Sequence, residues 1–138
     1  MPTESREDQA SRTTADQLIG WLRDYAETRI QSGLIDERRA MPAHVVLDFG
    51  NRGLLGLRVP RRYGGLELTQ SDTARVYEQL GAIDLTLATF LSSHAIGLSV
   101  IQKHGSASLR EEMLPRLASG REISAFGLTE RAAGSNPR

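Results

Sequence analysis

Apolar residues recur at three- and four-residue intervals along most of the chain, the spacing that gives an α-helix one buried face. Residues 1–13 lack this periodicity and read as a disordered, solvated tail. Leu18, Leu22, Tyr25 and Ala26 then share a face; Thr14 with Gln17 has the form of a capping box, and Gly33 supplies a stop. Pro42 suits the opening of a second helix with Val45, Val46 and Phe49 inward and Gly53 at its end. Thr69 and Asp72 predict the start of a third, carrying Val76, Tyr77 and Leu80 and closing at Gly81. Asp84 opens a fourth, which has no charged residue over positions 85–101. A helix apolar on nearly every side is expected in the middle of a bundle. Lys103-His104-Gly105 ends it, with positive charge at the negative pole of the helix dipole. Ser108 and Glu111 would cap a further helix with Leu109, Met113, Leu114 and Leu117, which Pro115 should kink or divide.

After Gly120 the pattern changes. Residues 123–129 form a short apolar stretch that reads as one β-strand, and residues 130–138 read as loop. The expected fold is therefore all-α, a five- to six-helix orthogonal or up-down bundle, ending in one isolated β-strand. A lone strand has no partner for its ladder. The sequence is thus expected to be cut at a domain boundary, with a tail at 1–13, a helical domain at 14–121 and the truncated start of a β domain at 122–138.

Composition narrows the chemistry. A chain of 138 residues is the size of one ordinary domain, and 39% hydrophobic with 25% charged residues suits a globular core. Lysine plus arginine and aspartate plus glutamate both number 17, which removes the basic footprint of a general nucleic-acid binder. The absence of cysteine excludes disulfides, thiol nucleophiles and Cys-ligated metal, and agrees with an expected cytoplasmic location. No uninterrupted apolar run approaches the roughly 20 residues of a bilayer span. His94 and His104 are too far apart for a helical metal pair, so no metal site is expected and each reads as a satisfied helix histidine. Ser92, Ser93 and His94 have neither a nucleophile elbow nor a placed acid.

Two segments carry more specific information. Gly53-Leu54-Leu55-Gly56-Leu57-Arg58-Val59-Pro60-Arg61-Arg62-Tyr63-Gly64-Gly65 resembles the acyl-CoA dehydrogenase pattern G-L-L-G-(hydrophobic)-x-(hydrophobic)-P-x-x-Y-G-G, and Thr69, Asp72, Glu78, Leu80 and Gly81 follow at that family's offsets. Ala125-Phe126-Gly127-Leu128-Thr129-Glu130-Arg131-Ala132-Ala133-Gly134-Ser135 is similar to the family's A-(aromatic)-x-(hydrophobic)-T-E-P-x-A-G-S segment. Arg131 departs from the usual proline, and Asn136 stands where aspartate is common. The resemblance covers about residues 15–138. The first segment reads as structural, its glycines permitting tight backbone approach and Tyr63 packing on the bundle.

The resemblance implies an N-terminal helical domain followed by the first flavin-binding strand of the middle β domain. It implies FAD as cofactor, with Phe126, Leu128 and Thr129 along the ring, Thr129 donating to its N1/O2 side, and Gly134 and Ser135 near the pyrophosphate. An isoalloxazine collects negative charge at its pyrimidine edge on reduction, and a strand offers N–H donors there without a competing charge. Ser135, together with Ala88, Thr89, Ser92 and Ile96 on the uncharged helix, would meet the substrate, an acyl-CoA or acyl-carrier-protein thioester. The implied reaction oxidises that thioester to the α,β-enoyl thioester. The family's catalytic base lies in a C-terminal domain, so no catalytic residue is expected in this chain; Glu130 reads as a loop carboxylate, and the fragment is expected to be inactive alone. An electron-transfer acceptor and a homo-oligomeric parent are also implied, without nucleic acid or a membrane span. Two other readings stay open: a flavin monooxygenase or nitroalkane oxidase on the same architecture, and a helical interaction module that has lost flavin chemistry.

Overall fold

The computed structural model describes residues 5–135. Its helices are α1 (Arg6–Arg29), α2 (Ser32–Arg38), α3 (Ala43–Asn51), α4 (Gln70–Ile83), α5 (Leu85–His104) and α6 (Ala107–Ala118), with 3-10 turns at Leu54–Gly56 and Arg61–Tyr63.

Local chemistry explains most boundaries, including those that differ from expectation. The stretch assigned to a tail is, from Arg6 onward, the first two turns of α1. Ser5 caps them: its hydroxyl accepts the Asp8 N–H at 3.1 Å while the Asp8 carboxylate accepts the Ser5 N–H at 3.3 Å. Thr14, expected as the cap, sits mid-helix and donates back to the Ala10 carbonyl. Gly33 lies inside the short helix α2, and α1 stops at Ile30 instead. Pro42, Thr69 and Asp84 precede α3, α4 and α5 as expected, the last two accepting helix N–H groups through their side chains. Gly81 does not close α4, which runs on to Ile83. The α6 cap is Ser106, two residues ahead of Ser108, and accepts the Leu109 N–H at 3.2 Å. Pro115 does not divide α6, which runs unbroken through it; the carbonyl it leaves unbonded belongs to exposed Glu111, which water can serve.

The expected β-strand is absent among the described residues. Residues 123–129 run without a ladder, because no neighbouring strand accepts their backbone bonds, and the only bridge joins Glu130 to Ala133 across a turn.

Packing proceeds as a chain of neighbours: α1 on α4, α4 on α5, α5 on α6. The main core gathers Leu18, Leu22, Phe49, Val76, Leu80, Leu87 and Leu91, with Trp21 stacked on Tyr25 at 4.5 Å between ring centroids. A second core holds Val59, Leu98, Leu114, Leu117 and Ala118, with Tyr63 packed against it. Each fully buried leucine contributes about 1.5–3 kcal/mol of transfer free energy. The Gly53–Gly65 loop is pinned to itself by Leu66 N–H to Gly56 carbonyl and Leu68 N–H to Leu57 carbonyl bonds. Only glycine fits at position 65, where a Cβ would fall on the Val59 carbonyl.

Helix α5 is not enclosed, contrary to expectation. Leu87, Leu91, His94 and Leu98 are buried, while Leu85 is 72% exposed and Ile96 and Val100 also face outward. By length and composition α5 could cross a membrane. Its packing against α4, α6 and the first 3-10 turn is that of a core helix with one uncovered face.

Candidate functional site

The uncovered face of α5 borders a groove. At 3.6 residues per turn, Leu85, Ala88, Thr89, Ser92 and Ile96 form one stripe, opposite the buried stripe of Leu87, Leu91, His94 and Leu98. Beside it lies a cavity of about 410 Å³ walled by Ser92, Ala95 and Ile96 from α5, Thr73 and Tyr77 from α4, and Leu54, Leu55, Leu57 and Val59 from the glycine-rich loop. The hydroxyl of Ser92 donates to the Thr89 carbonyl at 2.9 Å, so this polar side chain is satisfied within its own helix. Burial pushes the Tyr77 phenol up to about 12, and it stays neutral at ordinary pH. The charged residues of the lining are Arg58 and Lys103, both exposed. An apolar slot with cations at its rim suits a hydrocarbon chain.

Of the four helix positions expected to meet substrate, Ser92 and Ile96 line this cavity. Ala88 packs on the main core instead, and Thr89 is exposed with its hydroxyl bonded to the Leu85 carbonyl. Sequence reasoning missed the loop's share of the wall. It treated Gly53–Gly65 as purely structural, yet Leu54, Leu55, Leu57 and Val59 are both core and groove. Their apolar run beside a proline-limited turn was the available signal.

The second expected region begins where Ser124 meets α5 on a different flank. Its N–H donates to His94 Nδ1 at 3.1 Å and its hydroxyl to the His94 carbonyl at 2.7 Å. Beyond that anchor, Phe126 and Leu128 are 48% and 53% exposed, and Thr129 is exposed as well. The peptide N–H groups of residues 125–129 have no partner among the described residues. The Glu130–Ala133 turn follows, and Gly134 and Ser135 lie exposed after it. Free donors, an uncharged edge and exposed apolar side chains fit the requirements of a flavin ring edge. Asn136 lies outside the described residues. Groove and segment thus meet α5 on different flanks, the groove along Ser92, Ala95 and Ile96 and the segment at His94 and Gly97.

The chain matches known proteins over most of its length. The family described as "Acyl-CoA dehydrogenase, N-terminal domain" matches residues 13–121. The very long-chain specific acyl-CoA dehydrogenase, mitochondrial, of Mus musculus is 42% identical over 85 residues, 61% of this chain and 13% of that protein. The probable acyl-CoA dehydrogenase FadE10 of Mycobacterium tuberculosis is 32% identical over 130 residues, 93% of this chain and 20% of its own length. The chain therefore spans a fifth or less of these two relatives. A crystal structure of a glutaryl-CoA dehydrogenase from Mycobacterium smegmatis in complex with FADH2 superposes with a TM-score of 0.79 at 29% identity, covering 96% of this chain and 35% of that one. Since the matched region takes in the helices and the loop that build the groove, this chain belongs to the acyl-CoA dehydrogenase family and carries its N-terminal domain.

Proposed function

We propose that this chain forms the helical wall of an acyl pocket, and the first flavin-edge segment, of an oxidoreductase that converts an acyl thioester to its α,β-enoyl thioester. FAD, when bound, supplies the hydride acceptor. Phe126, Leu128 and Thr129 line the ring, Thr129 donates to its pyrimidine edge, and Gly134 and Ser135 approach the pyrophosphate, with Ser135 also near the thioester. Ser92 and Ile96 wall the acyl chain; Ala88, packed on the main core, and exposed Thr89 share their stripe of α5 outside the groove lining. The chain's own contribution is to bind, orient and exclude water. The proton-abstracting carboxylate belongs to another domain, and so does most of the surface that meets an electron-transfer acceptor or a second subunit.

The observation that carries this reading is the apolar groove on the uncharged stripe of α5, inside the region matched to the family. Isotope-labelled chain titrated with a long-chain acyl-CoA tests it. Resonances of Leu91, Ile96 and Tyr77 should shift, those of Leu47 on α3 should not, and Ile96→Asp should weaken the response. Shifts confined to other surfaces, or none at millimolar ligand, refute the groove assignment. The same chain mixed with FAD, acyl-CoA and a dye acceptor should show no turnover.

A further inference from the structure

One buried titratable group has no part in the reading above. His94 is 1% exposed and bonded at both ring nitrogens. The Ser124 peptide N–H can only donate, so Nδ1, 3.1 Å away, must present its lone pair. The ring proton therefore sits on Nε2, which donates to the Leu117 carbonyl at 3.2 Å. Ser124 is held a second time by its hydroxyl on the His94 carbonyl at 2.7 Å. The space it occupies exists because position 97 is glycine: a Cβ there would stand 2.7 Å from Ser124 Oγ and 2.8 Å from its Cβ. One helical turn of α5 thus offers a donor-acceptor ring and a notch beside it.

Up to Glu122 the segment is held by the end of α6, through Arg121 and Glu122 N–H bonds to the Arg116 carbonyl. Past Ser124 no backbone bond occurs among the described residues until Glu130. Ile123 and Ala125, on either side, are exposed, so apolar burial does not hold the chain here. Ser124 is the last fixed point before the segment assigned to the flavin.

We propose that neutral His94 is a positioning residue, a latch that docks Ser124 into the Gly97 notch and so sets the direction in which residues 125–135 leave the bundle. Its link to the flavin rests on the function proposed above; the latch itself does not. A second proton would go to Nδ1 and oppose the Ser124 N–H, donor against donor, releasing the segment. Burial holds the imidazole below its ordinary 6.5, and the Leu117 carbonyl bond, with the Leu55 backbone nearby, only partly offsets it. Among the described residues no charged side chain bonds to the ring. On the elements around it, Arg52, Arg58, Lys103, His104, Glu111, Glu112, Arg116 and Arg121 are exposed, Arg110 and Glu122 are half-buried, and Glu122 pairs with Arg116 at 3.0 Å. Because the docked value is depressed, docking is at full strength above 6.5 and weakens as pH falls through the interval down to the docked value. The loss approaches about tenfold per pH unit, the slope for one proton.

Nuclear magnetic resonance on the 138-residue chain tests this without flavin. Ring nitrogen shifts should show the Nε2–H tautomer, and the Ser124 amide protection factor should fall together with His94 titration while that of Val76 stays constant. His94→Asn keeps an acceptor for the Ser124 N–H and should remove the pH dependence. Gly97→Ala raises helix propensity yet should cut Ser124 protection at every pH, and Ser124→Gly in the same chain should relieve the clash and restore protection at residue 124. An Nδ1–H tautomer, Ser124 protection that ignores His94 titration, or protection unchanged in Gly97→Ala overturns the latch. Should His94→Asn not fold, the wild-type titration and Gly97→Ala still decide. Failure of acyl-CoA or FAD to bind leaves these readouts standing.

Discussion

Replacing Asp72 with alanine should remove more stability than any other single polar substitution among the described residues. The carboxylate is 2% exposed at the junction of α1 and α4. It accepts the Ser11 hydroxyl at 2.6 Å, the Thr69 hydroxyl at 2.9 Å and Arg75 Nη1 at 3.2 Å, while Ser11 Oγ accepts the Thr69 N–H at 2.9 Å. A hydrogen bond to a charged group contributes about 1.5–3 kcal/mol, and buried donors left unpaired add their desolvation. Arg75 is 41% exposed and also bonded to Asp16, so it can turn to water and loses little with the carboxylate. The two hydroxyl bonds together give about 3–5 kcal/mol for Asp72→Ala. Asp72→Asn keeps an acceptor oxygen and should cost about 1–2 kcal/mol. With a urea slope near 2 kcal/mol/M for a domain of this size, the alanine variant should unfold roughly 1.5–2.5 M earlier. Trp21, the single tryptophan and stacked on Tyr25, reports the transition by fluorescence.

Acidification supplies the control. Burial raises the Asp72 carboxyl, but the Ser11, Thr69 and Arg75 bonds outweigh it and hold the group below its ordinary 3.8. A depressed carboxyl contributes stability above the unfolded value and loses it as pH falls through the folded one. The gap between wild type and Asp72→Asn should therefore be constant from pH 5 to 8 and narrow below 3.8. An alanine variant within 1 kcal/mol of wild type, or a gap that survives full protonation, refutes the account of this junction.

Gly65→Ala should cost about 1–3 kcal/mol or more by urea unfolding, since the added carbon meets the Val59 carbonyl; a neutral result would mean the loop is looser than described. Spectrophotometric titration should find Tyr25 and Tyr77 ionising near 12, Tyr25 by burial and its 2.6 Å bond to Asp48, Tyr77 by burial alone. Both raised values mean stability that is intact below pH 10 and lost as pH climbs towards 12, so ionisation of all tyrosines at 10 in the folded chain would contradict them. Arg131→Pro should preserve the Glu130–Ala133 bridge, because Arg131 sits at the second turn position with φ outside the left-handed region and its N–H has no partner among the described residues; loss of the Ala133 amide protection would count against that.

Where a feature depends on neighbours in sequence, it was legible. Thr69 and Asp84 announce the starts of α4 and α5, because a cap is a bond between a side chain and an N–H two or three residues on. The apolar stripe of Leu18, Leu22 and Tyr25 was readable for the same reason, and the two glycine-bearing segments carried the family. Local signals also misled where several were available: Ser5 with Asp8 outcompeted Thr14 with Gln17, and Ser106 outcompeted Ser108. Short α2, with Gly33 inside it, gave no periodic signal long enough to read.

The tertiary structure decided what requires two distant stretches to meet. Periodicity shows that α5 is apolar all round but not which stripe the other helices cover, so the exposed row of Leu85 and Ile96 could not be read from it; Ser92 and Ile96 were expected at the substrate only through the family resemblance, and the loop's share of the groove was not foreseen. Whether residues 123–129 form a strand depends on a partner for their N–H groups, and none stands among the described residues. The pairings of Asp72 with Ser11 and of His94 with Ser124 join positions far apart in the chain. Sequence determines which groups can donate and accept; only folding determines which of them share a dry space, and burial is what turns such a pairing into stability and position.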